Sequence, residues 1–153
     1  MVIVADTSAI LALMDRGDPF HTTLQATFAA GAGDWVVPWA IIPELDHLAR
    51  KRLGAAAAGA IGADLAEGRF QIEWGAPGDL RRGLELDHTY RNLSLGLVDG
   101  VVMAVAERLE ARAIATLDLR DFGAVTLNGN PEIWPRDLQE GPDPDAARPI
   151  WPG

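Results

Sequence analysis

The sequence predicts an α/β protein in which a mostly parallel β-sheet is covered by helices on both faces. Short apolar runs such as VIVA at 2–5 and WVVP at 35–38 have the length and continuity of buried parallel strands. Segments with helical spacing separate these runs, so strands and helices alternate along the chain. The 153 residues, 48% of them hydrophobic, suit one domain built around one core.

In the first half of the chain, apolar runs and helix breakers define two strands and four helices. The predicted elements are a strand at 2–5, helices at 9–14 and 18–30, a strand at 35–38, and helices at 40–53 and 55–67. Gly17 interrupts the first helix, and the Asp18–Pro19 pair is typical of the start of the next one. Gly54 is placed to end the helix at 40–53.

In the second half, strands are predicted at 70–74 and 113–117, a short fifth strand at 125–127, and helices at 77–92 and 97–108. Leu80, Leu84 and His88 recur at fourfold spacing and mark one side of the helix at 77–92, with many charges outside it. Residues 139–153 are Pro-rich and acidic, which predicts a flexible tail and leaves 1–138 as the folded domain.

Charge and composition exclude several classes of function. The net charge of −9 argues against nucleic-acid binding by the surface as a whole, although it suits a basic protein partner. The absence of cysteine excludes disulfides and thiolate metal sites, and it fits a reducing cytoplasm. Neither a signal peptide nor an apolar run long enough for a membrane helix is recognisable. We therefore expect a cytoplasmic protein with no membrane partner.

Four acids lie in apolar surroundings or directly after a predicted strand. They are Asp6, Glu44, Asp99 and Asp118. Functional groups of open α/β sheets gather beyond the carboxyl ends of the strands. Carboxylates that converge there need protons or cations, and Mg²⁺ or Mn²⁺ suits oxygen ligands best. Such a site is typical of phosphoryl transfer or phosphodiester hydrolysis. The alternative for Asp99 is an ordinary helix cap.

Nearby polar residues have both a structural and a functional interpretation. Thr7 and Ser8 either cap a helix or contact a metal-bound water or phosphate, and Thr116 is otherwise an ordinary strand residue. Asp121 is a loop acid or cap, or else supports the site. The candidate phosphate contacts are Arg50, Arg52 and Arg120. Each of these arginines could equally belong to a solvated helix face.

Three segments together resemble the PIN-domain ribonucleases, in particular the VapC-type toxins of bacterial toxin–antitoxin pairs. These segments are VIVADTSAILAL, PELDHL and LVDGVVMAVAERLEARAIATLDLRDFG, and the likeness covers about residues 1–135. The resemblance implies a three-layer α/β/α sandwich and a PIN-like nuclease domain over 1–138. It also implies that Asp6, Glu44, Asp99 and Asp118 are catalytic and hold Mg²⁺ or Mn²⁺, supported by Thr7 or Ser8 and by Thr116. RNA as substrate, a cognate antitoxin and a toxin homodimer follow from the same likeness.

Two alternatives remain open from the sequence. One is a PIN-like domain with weak catalysis that serves as a protein- or RNA-binding module, although the presence of all four acids counts against it. The other is a different Mg²⁺-dependent phosphohydrolase on a doubly wound sheet. A phosphatase with an Asp-x-Asp motif would need an acid where Ser8 stands, and a receiver domain would need a later lysine, whereas Lys51 is the only lysine.

Overall fold

A computed structural model of the protein describes residues 1–138, and the predicted tail at 139–153 lies outside the described residues. Within the described part, five parallel strands form one sheet. The strands are β1 (Ile3–Ala5), β2 (Trp35–Pro38), β3 (Gln71–Glu73), β4 (Ala113–Ala115) and β5 (Glu132–Trp134). Their order is β3-β2-β1-β4-β5, so β1 lies at the centre and its three residues are fully buried. A continuous apolar run is what a strand buried on both faces requires.

Seven α-helices flank the sheet within residues 1–138. They are α1 (Thr7–Met14), α2 (His21–Ala30), α3 (Ile42–Leu53), α4 (Ala55–Ala66), α5 (Pro77–Thr89), α6 (Gly96–Arg108) and α7 (Leu119–Phe122). The predicted α/β class and parallel sheet are confirmed. Two helices start later than predicted, because residues 39–41 form a 3-10 turn before α3, and the Asp18 carboxylate accepts a hydrogen bond from the Phe20 amide before α2. None of the described helices combines the length and apolarity needed to cross a bilayer.

The fifth strand is not at 125–127, so that prediction was wrong. The chain at 125–127 is irregular, and Leu127 is buried there without joining the sheet. The strand that pairs with β4 is β5, in the register Ala113↔Glu132 to Ala115↔Trp134. The Thr116 amide donates to the Trp134 carbonyl at 2.9 Å and extends this pairing beyond β4.

The side of α5 marked by its leucine spacing does not face the core. Leu80 and Leu84 are 50% and 53% exposed, and His88 is also exposed. Helix α5 instead packs on α6 through Gly83, whose carbonyl oxygen would lie 2.6 Å from a Cβ placed on Gly100. The two glycines allow the backbones to touch, so the side of α5 that carries Gly83 and Leu86 is buried, while Leu80 and Leu84 remain outside.

Candidate functional site

Acidic side chains collect at the carboxyl edge of the sheet, around the two central strands. Asp6 directly follows β1, and Asp118 lies three residues beyond the end of β4. Glu44 and Asp99 occupy the first turns of α3 and α6, and Asp121 lies in the single turn of α7. The strands and helix starts therefore bring acids from distant parts of the sequence to one end of the fold.

Asp6 is the most deeply buried of these acids, with 5% exposure. The hydroxyl of Thr116, itself fully buried, donates to Asp6 Oδ2 at 2.9 Å, and Ser8 Oγ donates to the same atom at 3.2 Å. Burial raises the pKa of Asp6, and the charge of Glu44 raises it further, while these hydroxyls act in the opposite direction. The predicted supporting roles of Ser8 and Thr116 thus correspond to direct contacts with Asp6.

Glu44 is held by the other predicted hydroxyl. Thr7 Oγ1 donates to Glu44 Oε1 at 2.7 Å, which joins the start of α1 to the first turn of α3. Glu44 is partly buried, whereas Asp46 and His47 on the same helix are exposed. The effect of Glu44 on the pKa of Asp6 shows that the two carboxyl groups sense each other's charge.

Asp99, Asp118 and Asp121 form the tightest group of acids in the described structure. One carboxylate oxygen from each lies within 4.8 Å of the others. The pKa of Asp99 is raised to about 8, first by burial, then by a hydrogen bond with Asp121 and by the charges of Asp6, Asp118 and Asp121. A cation placed among these oxygens would replace repulsion by attraction.

Asp121, predicted as a loop acid, a cap or a support of the site, has a carboxylate oxygen within 4.8 Å of those of Asp99 and Asp118. The Asp121 amide donates to Asp118 Oδ1 at 3.2 Å, so Asp118 caps α7 and the short helix carries Asp121 back toward the cluster. The spacing of three residues was the available signal, because residues i and i+3 share one side of a helical turn. That signal was weak without knowledge that residues 119–122 form a helix.

The chemistry of these side chains fits a hard divalent cation. Three carboxylates offer oxygen donors at close range, with neither the thiolates nor the imidazoles that zinc sites favour. The charges that raise the pKa of Asp99 are those of Asp6, Asp118 and Asp121, so a cation among these carboxylates would be favourable. Thr116 also anchors this part of the site, because its Oγ1 accepts a hydrogen bond from the Asp118 amide at 3.1 Å.

The structure separates the three candidate arginines. Arg52, in the last turn of α3, lines a cleft of about 310 Å³ together with Ser8 and Asp118. Arg50 points away and forms an exposed ion pair with Asp46 at 3.1 Å. Arg120 is exposed on α7. Arg52 is exposed as well, but it is the candidate arginine that shares a cleft with Ser8 and Asp118.

A family comparison decides what kind of domain carries this site. The sequence model of the PIN domain matches residues 3–126. The chain belongs to the PIN-domain family. Among curated proteins, this PIN domain is similar to Ribonuclease VapC26 of Mycobacterium tuberculosis (strain ATCC 25618 / H37Rv), with 29% identity over 123 residues, 80% of this chain and 91% of the relative.

Solved structures confirm the PIN-like α/β sandwich. VapC20 of Mycobacterium tuberculosis, described as a toxin that cleaves the sarcin–ricin loop, aligns with a TM-score of 0.72 and 22% identity over 83% of this chain and 97% of its own. The DNA-bound VapBC of Salmonella typhimurium aligns with a TM-score of 0.67 and 14% identity over 87% of this PIN domain and 96% of that chain. The family and fold implied by the sequence motifs are therefore confirmed.

Proposed function

We propose that this PIN domain is a Mg²⁺-dependent endoribonuclease that hydrolyses phosphodiester bonds in RNA. The observation that carries the proposal is the convergence of Asp99, Asp118 and Asp121 within 4.8 Å, with Asp6 at the same edge of the sheet. The similarity to a relative named as a ribonuclease supports RNA as the substrate class. Mn²⁺ would satisfy the same oxygen donors.

Each group of side chains has a distinct part in this hydrolysis, in which water adds across a phosphorus–oxygen bond. Asp99, Asp118 and Asp121 would hold the cation, with the carboxylate of Asp6 beside them. When bound, the cation supplies positive charge that polarises the phosphate and stabilises the leaving oxygen. Thr116 and Ser8 fix the orientation of Asp6 through their hydrogen bonds.

Glu44 and Arg52 complete the proposed site from α3. Glu44, fixed by Thr7, places a further carboxylate near Asp6, where it would orient water or the cation's ligands. Arg52 lies in the cleft beside Asp118, where a guanidinium can neutralise a phosphate of the RNA backbone. Arg50 and Arg120 would contribute at most at longer range from the solvent surface.

We further propose that the protein acts as the toxin of a toxin–antitoxin pair, in the cytoplasm and as a homodimer. The VapBC proteins of similar fold support a cognate antitoxin as partner, since they are named as paired assemblies. The net charge of −9 favours a partner segment that carries basic residues. Such a segment near the acids would hold the nuclease inactive until the antitoxin is lost.

Metal-dependent cleavage of RNA tests the catalytic part of this proposal. The wild-type protein and Asp118→Asn are incubated with purified total RNA in Mg²⁺, in Mn²⁺ and in EDTA, and new 5′ ends are mapped. We expect cleavage by the wild type with either cation and a loss of at least a hundredfold in Asp118→Asn, because an amide is a much weaker cation ligand than a carboxylate. Asp46→Asn, which changes an exposed acid on α3, is the control and should cleave normally.

Two results would contradict the proposal. Cleavage that continues in EDTA would show that no cation is needed, and full activity in Asp118→Asn would show that the acidic cluster is not the catalytic site. Absence of cleavage together with absence of Mn²⁺ binding would favour a binding module instead.

A further inference from the structure

We propose that Trp39 and Trp74 form a platform on which unpaired bases of the RNA stack next to the cleavage site. This inference rests on the proposed ribonuclease function. We call the surface made by Trp39, Trp74, Leu80 and Val101 the tryptophan shelf. It would give this enzyme a preference for single-stranded RNA, since bases are free to stack on a protein only when they are unpaired.

The strand register places the tryptophan shelf beside the acids. Parallel pairing of Val4 with Val36 puts Asp6 beside Pro38, so Trp39 comes one residue after the neighbour of Asp6. Pro38 in turn pairs with Glu73, so Trp74 stands in the same position on the next strand. Trp39 and Trp74 directly follow β2 and β3, so they lie at the same edge of the parallel sheet as Asp6, which directly follows β1.

The two rings form an open aromatic surface. Their centroids are 4.8 Å apart and their planes are inclined by 34°, so one ring supports the other. Trp39 is 48% exposed and Trp74 is 66% exposed, whereas the core tryptophan Trp35 is fully buried. A recess of about 140 Å³ lies between these rings and the side chains of Leu80 and Val101. Flat apolar walls and exposed aromatic rings suit a base better than they suit an anionic group.

Charge separates the shelf from the phosphate-binding side of the site. The two acids that line the recess, Glu73 and Asp79, are both paired with Arg108, at 2.7 Å in each case. The cleft that contains Arg52 includes Leu117 and Asp118, which follow β4 on the other side of β1, and it is also lined by the acids Asp15 and Asp18. An RNA strand crossing the edge of the sheet could therefore place a phosphate at the Arg52 guanidinium on one side of the acids and its bases at the two tryptophan rings on the other.

Position along α5 distinguishes a base platform from a general apolar patch. Leu84 is also exposed, at 53%, but it lies one helical turn beyond Leu80 and outside the recess. If the surface served only as a contact with another protein, Leu84 would be as important as the tryptophans. Leu84 is therefore the matched control for the shelf.

Binding of RNA that cannot be cleaved tests this inference. The probe is a fluorescein-labelled oligoadenylate of twelve nucleotides. Its affinity for the full-length protein is measured by fluorescence anisotropy in EDTA at several salt concentrations. We expect Trp39→Ala and Trp74→Ala each to weaken binding about tenfold or more, because stacking on an aromatic ring contributes this much per base. Trp74→Phe should retain most of the affinity, and Leu84→Ala should be unchanged.

The salt dependence and an abasic probe identify the kind of contact. Because stacking releases no counterions, the tryptophan variants should keep the wild-type slope of log affinity against log salt, whereas Arg52→Ala should lower it. An abasic oligomer should bind the wild type and Trp39→Ala equally. Equal affinity of the wild type and both alanine variants for oligoadenylate would overturn the inference.

Further outcomes separate this inference from the proposed function. Normal Mg²⁺-dependent cleavage with unchanged RNA affinity in the tryptophan variants would remove the shelf and leave the ribonuclease standing. Failure of the wild type to bind or cleave any RNA would remove both. A change from dimer to monomer in Trp74→Ala, seen by sedimentation with RNA affinity per protomer unchanged, would assign the surface to a second copy and also overturn the inference.

Discussion

Replacement of Asp99 by asparagine should make the metal-free protein more stable at alkaline pH. The pKa of Asp99 is about 8 in the folded protein against an ordinary value of 3.8. Between these two values the folded protein holds a proton that the unfolded chain does not, so the free energy of unfolding falls as the pH rises through this window. An asparagine amide does not titrate, and the variant should escape this loss.

The magnitude follows from the width of the window. At about 1.4 kcal/mol per pH unit, the interval from 3.8 to about 8 sets an upper limit of about 6 kcal/mol. Asp99 is only partly buried, and Asp118 and Asp121 share its proton and its repulsion. Both effects reduce the gain, and we expect Asp99→Asn to be about 2 kcal/mol more stable than the wild type at pH 8.

Urea unfolding in EDTA, followed by circular dichroism at pH 5, 6.5 and 8, measures this effect. The wild type and Asp99→Asn should have similar stability at pH 5 and should diverge as the pH rises. Asp46→Asn, at an exposed position, should run parallel to the wild type. A difference between Asp99→Asn and the wild type that is independent of pH would refute the reasoning, since it would show that Asp99 does not hold a proton in the folded state.

Mg²⁺ provides a second test of the same charge balance. A cation that binds the folded protein alone raises its stability and displaces the proton from the cluster. At pH 8, addition of Mg²⁺ should therefore stabilise the wild type more than it stabilises Asp99→Asn. Equal stabilisation of both proteins would place the cation elsewhere.

Three further substitutions test helix packing and a buried ion pair. Gly100→Ala should lower the free energy of unfolding by about 1–3 kcal/mol, because its Cβ would lie 2.6 Å from the Gly83 carbonyl oxygen. Gly62→Ala should raise the free energy of unfolding by about 0.5–1 kcal/mol, because its Cβ would have no atom within 4 Å. Urea unfolding of both variants checks these values. Arg108→Met should cost about 3 kcal/mol at pH 7, because it leaves the buried Asp79 carboxylate unpaired. Burial alone would raise the pKa of Asp79, but hydrogen bonds from Arg108 and the Ala76 amide lower it. The stability lost in Arg108→Met should therefore shrink as the pH falls below 3.8. An equal loss of stability at pH 3 and pH 7 would contradict this.

The central part of the fold could be predicted because its local and global requirements agree. The run at 2–5 is continuous and apolar, as a strand between two parallel neighbours must be, and it ends at Asp6 where such sheets place functional groups. The same rule placed Asp118 beyond β4. These positions follow from strand ends alone, so no knowledge of the loops was needed.

The position of the fifth strand and the buried side of α5 could not be predicted, because contacts between distant residues determine both. β5 has only three residues, begins with Glu132 and is followed by Pro135, so its sequence shows no alternation of polar and apolar residues. It becomes a strand by pairing with β4. On α5, the leucine spacing describes a real stripe, but Gly83 allows α6 so close that the opposite side is buried. The buried side carries Asp79 and Gly83 beside one leucine, Leu86, so its hydrophobic pattern is weaker than that of the exposed stripe.

The hydrogen bonds of the site indicate where a cation would bind. Asp6 receives the hydroxyls of Thr116 and Ser8, and Glu44 receives that of Thr7, so part of the negative charge at this edge is already compensated by donors. Asp99 instead has other acids as neighbours, and burial followed by its interactions with Asp121, Asp6 and Asp118 raises its pKa to about 8. A carboxyl group whose pKa is raised by burial and by neighbouring acids lies where added positive charge would be most favourable. A divalent cation would bind between Asp99, Asp118 and Asp121, and would bind more tightly as the pH rises.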